Sequence, residues 1–255
     1  MRRNVFLLSE LVRRDLAARY AGSFGGAAWA VLNPLILCGL YTLVFSVIVR
    51  VPPPADFRGT YAEFLLAGLL PWLGLQDALV RGAGSVTEQA NLVKKIPFPV
   101  EILVLSSLGS ALILQMASLV VFAAVSVPFG SGELHLVPLA GAFLFQLLLL
   151  AGPVFALAAG SVLFRDLAQL LGPLLTVAFY LTPILYPEDL VPASLAPALT
   201  FNPLRDLAGL FRAGLLGTAA PPPGRLLAWS AGLAVLAFLG HRFFARSRRA
   251  FADVL

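Results

Sequence analysis

RRDLAARYAGSFGGAAWAVLNPLILCGLYTLVFSVIVR, residues 13–50, opens on a cluster of charges and then runs through residues 20–49 without one. Crossing about 30 Å of hydrocarbon takes roughly 20 apolar residues, so this run predicts a membrane-spanning helix. Gly22, Gly25 and Gly26 predict a break ahead of it, where the chain turns into the bilayer, and Trp29 stands where an interfacial anchor belongs. Upstream, Val5, Leu8, Leu11, Val12 and Leu16 recur at helical spacing with Glu10, Arg13 and Arg14 turned away. That pattern predicts an interfacial amphipathic helix lying on the membrane surface. Asp15 and Arg19 fall near the apolar stripe as an i,i+4 pair of opposite charge. Lipid is a poor neighbour for them, and another protein a better one.

Working outward, gaps in the charge pattern place five further spans at 64–80, within 102–132, within 134–164, at 167–187 and at 226–244. Six spans put both termini on one side. With the N-terminus cytoplasmic, 13 of the 18 Lys and Arg residues fall on cytoplasmic segments and five outside, so the positive-inside rule sets both termini in the cytoplasm. A composition of 59% hydrophobic and 12% charged residues, with mean hydropathy +0.90, fits an all-α polytopic membrane protein forming a single domain, 1–255. No short apolar region with a small-residue cleavage site opens the chain, so the first span reads as permanent. The lone cysteine, Cys38, reads as a small packing residue within that span. A net charge of +5 reflects the cytoplasmic loops, and nucleic acid is not expected as a partner.

Two connections are unusual. SVTEQANLVKKIPFPVE, residues 85–101, crowds apolar, basic and proline residues together on the cytoplasmic side. Leu92, Val93, Ile96 and Phe98 exposed together would need cover from a partner. Residues 188–225 are long and largely apolar, broken by prolines into pieces at 190–199 and 204–216 that are too short to cross. They predict re-entrant or interfacial half-helices between spans five and six, tolerated where protein covers them or where they line a cavity. An exit route would have such an element on the outer side.

Catalytic chemistry finds little support. His135 and His241 lack a carboxylate or thiol at ligand spacing, so no metal site is expected. The only lysines, Lys94 and Lys95, do not follow the glycine of a phosphate-binding G-x-x-x-x-G-K loop, and Ser, His and Asp are scattered over both faces. A membrane-embedded transferase would need charged residues converging on one face, and none converge. Asp77 and Arg81 are spaced to pair at a helix end, Glu63 begins span two among headgroups, and no buried chain of carboxylates suggests proton coupling. A membrane scaffold that only anchors a partner is the remaining rival to transport. Aromatic rings in or beside the spans, among them Trp72, Phe143 and Phe155, could stack on sugars, although most such rings pack or face lipid.

The blocks at 13–46, GLLPWLGLQDAL (68–79), NLVKKIPFPVEILVLSS (91–107), FRDLAQLLGPLLTVAFYLTPILYP (164–187) and NPL (202–204) span nearly the whole chain in order. Together they resemble the permease subunit of type-2 ABC exporters, and within that group the exporters of O-antigen, teichoic acid and related polysaccharides. The resemblance implies an inner-membrane homodimer bound to two copies of a separate ABC ATPase, with ATP and Mg on that partner and no cofactor in this chain. It implies that the helix carrying Arg13, Arg14 and Asp15, and the connection carrying Asn91, Lys94, Lys95 and Phe98, touch the ATPase. It also implies outer half-helices that shape a gate, and an undecaprenyl-diphosphate-linked polysaccharide as cargo, with a drug or small lipid as the alternative. A route wide enough for a polymer needs uncharged, partly aromatic walls. Tyr41 and Phe45 in span one, with Phe179, Tyr180 and Tyr186 in span five, best meet that need.

Overall fold

The structure, a computed structural model, describes residues 2–22, 25–54, 57–95, 98–164 and 166–254. Among these, every regular element is helical, apart from a single bridge between Glu133 and Leu216. Helix α1 (Arg2–Tyr20) leads through a break to α2 (Trp29–Thr42), which continues as a π-helical turn, Leu43–Ile48. Then come α3 (Tyr61–Gly84), the short α4 (Ala90–Lys95), α5 (Glu101–Phe129), α6 (Leu136–Leu163) and α7 (Asp166–Leu181). The chain closes with α8 (Ala196–Thr200), α9 (Pro203–Leu216), α10 (Pro223–Ser247) and α11 (Phe251–Val254). The break predicted before the first span is present: Gly22 has φ +76° and Gly26 φ +48°, conformations that glycine adopts without a Cβ penalty.

Among the described residues, α3, α5, α6 and α10 are long and apolar enough to cross a bilayer, while 35–48 and α7 are shorter apolar helices. The chain is therefore a multi-pass helical membrane protein. Helix direction alternates, which sorts the helix ends into two poles. At one pole α1 meets the end of α3 and the start of α5, and Arg248 beyond α10 meets Glu101 of α5. At the other, Glu63 of α3 meets Ser131 after α5, and Arg225 of α10 meets Asp206 of α9.

Helix α3 is the central element, packing against α2, α5, α6, α7 and α9. Its start is fixed by a capping box: the Glu63 amide donates to the Thr60 hydroxyl at 3.3 Å, and the Thr60 amide donates to the Glu63 carboxylate at 2.8 Å. Glu63 also accepts from the Ser131 amide at 2.7 Å and hydroxyl at 3.0 Å. It is thus buried in a cap, and does not meet headgroups as the sequence suggested. Midway along the bundle, Gln115 of α5 and Gln146 of α6 exchange two amide hydrogen bonds, 2.8 and 2.7 Å. Such reciprocal pairing removes the cost of burying either amide alone. Helices α6 and α10 approach backbone to backbone at Gly152 and Gly240.

Two sequence expectations change. Span five ends as a helix at Leu181, not at residue 187, because Pro183 cannot continue the hydrogen-bond ladder. The piece at 190–199 is mostly irregular and exposed, with only α8 helical near its end. Its companion 204–216 is the helix α9, which buries Leu207, Leu210, Phe211 and Leu215. Asn202 caps α9 through its side chain, 3.0 Å from the Leu204 amide, and Pro203 occupies the first helical position. The side chain of Cys38 lies outside the described residues.

Candidate functional site

Four of the five aromatic residues singled out from the sequence, Tyr41, Phe45, Phe179 and Tyr180, come together between α2 with its π-helical turn and α7. Phe179, buried, is the central ring: its centroid lies 6.0 Å from Tyr41, 5.4 Å from Trp72 of α3 and 5.4 Å from Tyr180. Tyr41 extends the row to Phe45, 6.3 Å away on the π-helical turn. The Tyr186 hydroxyl donates to the Tyr180 carbonyl at 2.9 Å, which ties the connector after α7 to the same row. This gathering follows from spacing: Leu171, Leu175 and Phe179 form the buried stripe of α7 at i, i+4, i+8, leaving Tyr180 outward at 55% exposure.

A cavity of about 250 Å³ lies among these rings, lined by Tyr41, Trp72, Gln76, Thr176, Phe179 and Tyr180. Its polar groups are neutral. The Trp72 indole N–H donates to the Gln76 amide oxygen at 3.1 Å, leaving the Gln76 amide nitrogen and the tyrosine hydroxyls as hydrogen-bonding edges beside flat apolar faces. Rings for stacking and neutral amides and hydroxyls for hydrogen bonding form a surface suited to sugar rings. Trp72 and Gln76 join the site through α3. Trp72 is among the aromatic candidates in the sequence but not in the row of five, and Gln76 is not a candidate, because spacing says nothing about which neighbour α7 brings to them.

At the α1 pole the structure rewrites the expected pairing. Asp77 does not pair with Arg81. Arg19, only 9% exposed, donates to Asp77 at 2.6 Å, to Asp15 at 3.3 Å and to the Ser110 hydroxyl at 3.1 Å. Arg81 pairs with Asp15, which also accepts from Ser110. The reason is packing: α1 folds back on α5, with Val12 against Gly109, and carries Asp15 and Arg19 into the gap between α3 and α5. The partner protein that these charges seemed to require is the chain's own bundle. Arg13 and Arg14 remain on the exposed side, and Arg14 reaches Gln89, ahead of α4, at 2.8 Å.

The structure thereby brings two parts of the predicted coupling surface together, α1 and the α4 region. Asn91 and Lys94 are exposed, whereas Leu92, Val93 and Phe98 are half-buried by the chain itself, with Val93 packed on the core. Ile96, Pro97 and the Lys95 side chain lie outside the described residues. Val5 and Phe6 on α1 are each 64% exposed, an adjacent apolar pair at the surface.

At the opposite pole α9 is held by three arginines. Arg205 pairs with Glu188, and Arg225 grips buried Asp206 with contacts at 2.9 and 3.0 Å. Arg212, buried and without a carboxylate partner among the described residues, donates to the carbonyls of Phe64 (3.3 Å), Pro183 (2.9 Å) and Ile184 (3.0 Å). Its guanidinium also sits 3.6 Å over the Phe64 ring. Carbonyls of the connector after α7 and of the first turn of α3 thus share one buried cation. No sequence spacing connects residues 64, 183 and 212, so this latch was invisible before the fold.

Compared with known proteins, residues 7–216 match the ABC-2 type transporter family. The chain is 32% identical over 250 residues to the O-antigen export system permease protein RfbA of Myxococcus xanthus, an alignment covering 97% of this chain and 94% of that protein. Two proteins of the same name from Klebsiella pneumoniae are 29% identical over 209 residues and 27% identical over 205, each alignment covering 79% of this chain and 76% of the relative.

Proposed function

The chain belongs to the ABC-2 type transporter family, and from that premise we propose that it is the membrane-spanning permease of an ATP-driven exporter of a lipid-linked, O-antigen-like polysaccharide. In this reading the whole of 1–255 is one permease domain with six spans, α2 with its π-helical turn and α7 being the two short ones. Both termini face the cytoplasm, because the α1 pole carries most of the cationic side chains and the α9 pole only Arg50, Arg58, Arg205, Arg212 and Arg225. The membrane is the inner membrane. ATP and Mg belong to a separate ABC ATPase, which rests on α1 and α4, and two copies of the permease face one another across the route. The polymer is carried on undecaprenyl diphosphate.

The observation that carries the substrate class is the neutral aromatic row of Tyr41, Phe45, Phe179, Tyr180 and Tyr186 with Trp72 and Gln76 at its edge. A polymer that slides must be held weakly at many equivalent positions, and stacking on rings gives an attraction that tolerates displacement along the chain. A charged wall would bind too tightly at fixed points. Helix α9 packs beside α3 and α6, and in this reading it is the outer element that closes the route when no polymer is present.

Alanine at each of the five row positions tests this. Export of polymer to the cell surface should fall several-fold at Tyr41, Phe179 and Tyr180, with protein abundance and basal ATP turnover of the complex near normal. Normal export at normal abundance in all five variants would show that the rings only pack, and would remove the sugar path from this face.

A further inference from the structure

The C-terminal end of the chain is built into the α1 pole, although termini are usually loose unless something ties them down. Beyond α10 a 3-10 turn, Arg248–Ala250, leads into α11, which has four residues. A helix this short cannot hold itself together, so its order must come from tertiary contacts. Phe251 supplies one. It is fully buried, edge-on to Phe244 at 5.4 Å, and Phe244 in turn meets Phe155 of α6 edge-on at 5.3 Å. Through this anchor α11 packs against both α4 and α6. Three residues earlier, Arg248 pairs with Glu101 in the first turn of α5. The other carboxylate oxygen of Glu101 is buried and has no hydrogen-bond partner among the described residues, so the arginine is its main compensation.

These contacts bracket one segment. Helix α4 is held from below by α11, and the start of α5, directly after Phe98 and Pro99, is held by Arg248. We propose that the C-terminal turn, residues 248–254, is a strut that fixes the coupling segment, with Phe251 and Arg248 as positioning residues for the surface on which the ATPase presses. This rests on the reading of α4 as an ATPase contact. A segment that received a push without such backing would yield locally, and the stroke would not reach α5 and α6.

Hydrogen exchange on the purified permease in detergent tests the strut without ATPase or cargo. Phe251→Ala should speed exchange at the Leu92 and Val93 amides, both bonded to Gln89, at least tenfold, with the interiors of α5 and α6 unchanged. Arg248→Glu should do the same more weakly, and the reciprocal pair Arg248→Glu with Glu101→Arg should restore protection. In the complex, both single variants should still copurify with the ATPase and hydrolyse ATP, but export per ATP should fall several-fold and return in the reciprocal pair. Unchanged exchange at 92–93 in both single variants overturns the strut whatever the ATPase does. Faster exchange with a normal ratio of export to ATP turnover overturns the coupling role, and with it the assignment of α4 as the point of contact.

Discussion

Replacing Arg212 by methionine isolates the latch that holds α9. Methionine keeps much of the length and apolar bulk of the arginine stem, but it withdraws donors from the carbonyls of Phe64, Pro183 and Ile184 and the cation from over the Phe64 ring. A buried acceptor left without its donor costs about 1–3 kcal/mol, and the Pro183 and Ile184 carbonyls are affected, the Phe64 carbonyl being within helix α3. Loss of a desolvated cation–π contact adds about 2 kcal/mol. Against this, the variant no longer buries a charge, a relief of several kcal/mol. Taking the middle of the range for the two carbonyls, the net destabilisation is about 3 kcal/mol. For a chain of this size that corresponds to a fall in Tm of roughly 6–12 °C. Thermal unfolding in detergent, followed by size exclusion of the surviving monodisperse protein, reads it directly. Arg212→Lys should fall between the two, since a point charge cannot fork to three carbonyls. A Tm for Arg212→Met within 2 °C of the unsubstituted protein would refute the reasoning, because the connector carbonyls would then have other partners and α9 another anchor.

Arg19→Ala should leave Asp77 without its cation and Asp15 with Arg81 and Ser110 alone, costing about 2 kcal/mol, and should free α1 for tryptic cleavage after Arg13 and Arg14 at lower protease than the unsubstituted protein needs. Gln146→Leu should cost about 1 kcal/mol by leaving the Gln115 amide unpaired, whereas leucine at both positions should recover most of the loss in the same melt. In a Cys38→Ala background, His135→Cys and Ala220→Cys should react with an impermeant thiol reagent on intact cells and Thr87→Cys only after lysis; the reverse pattern would invert the proposed topology.

How much of this was legible depends on the range of the interaction. The long charge-free runs gave α3, α5, α6 and α10 within a few residues, because a bilayer demands about 20 apolar residues whatever their neighbours. The glycine break before α2 was local as well. The aromatic row was found in part, since Phe179 falls on the buried stripe of α7 and Tyr41 lies one turn before Phe45, on the π-helical continuation of α2. The i,i+4 pair of Asp15 and Arg19 is present, and what failed were the partners that lie on other helices. The i,i+4 rule paired Asp77 with Arg81, yet each found a better-placed carboxylate or guanidinium on α1. Glu63 was assigned to headgroups because nothing in its neighbourhood predicts Ser131 returning beside it. Sequence spacing ranks contacts along one helix, and in a bundle the cross-helix contacts win wherever backbones approach closely.

The distribution of polar contacts also separates stiff from movable parts. Helices α3, α5 and α6 are joined by the glutamine pair in the middle and by Glu63 and Ser131 at one end, while α1 is stapled to α3 and α5 at the other. Each of these contacts has a defined geometry and is lost abruptly when helices slide. Helix α7 meets the bundle through apolar and aromatic side chains, and ring contacts at 5.4 to 6.0 Å tolerate sliding with little change in energy. Helix α2 lies against α3 and α5 and ends in a π-helical turn, a register that helices use where the ladder must shift. A route that widens for a polymer and closes behind it would therefore open between α2 and α7, where the rings are, with the α3, α5 and α6 core carrying force from the α1 pole to α9 as a nearly rigid body. The arginine latches of α9 then set the resistance at the far end. In the proposed exporter Arg212→Met would then test how firmly α9 is held at that end.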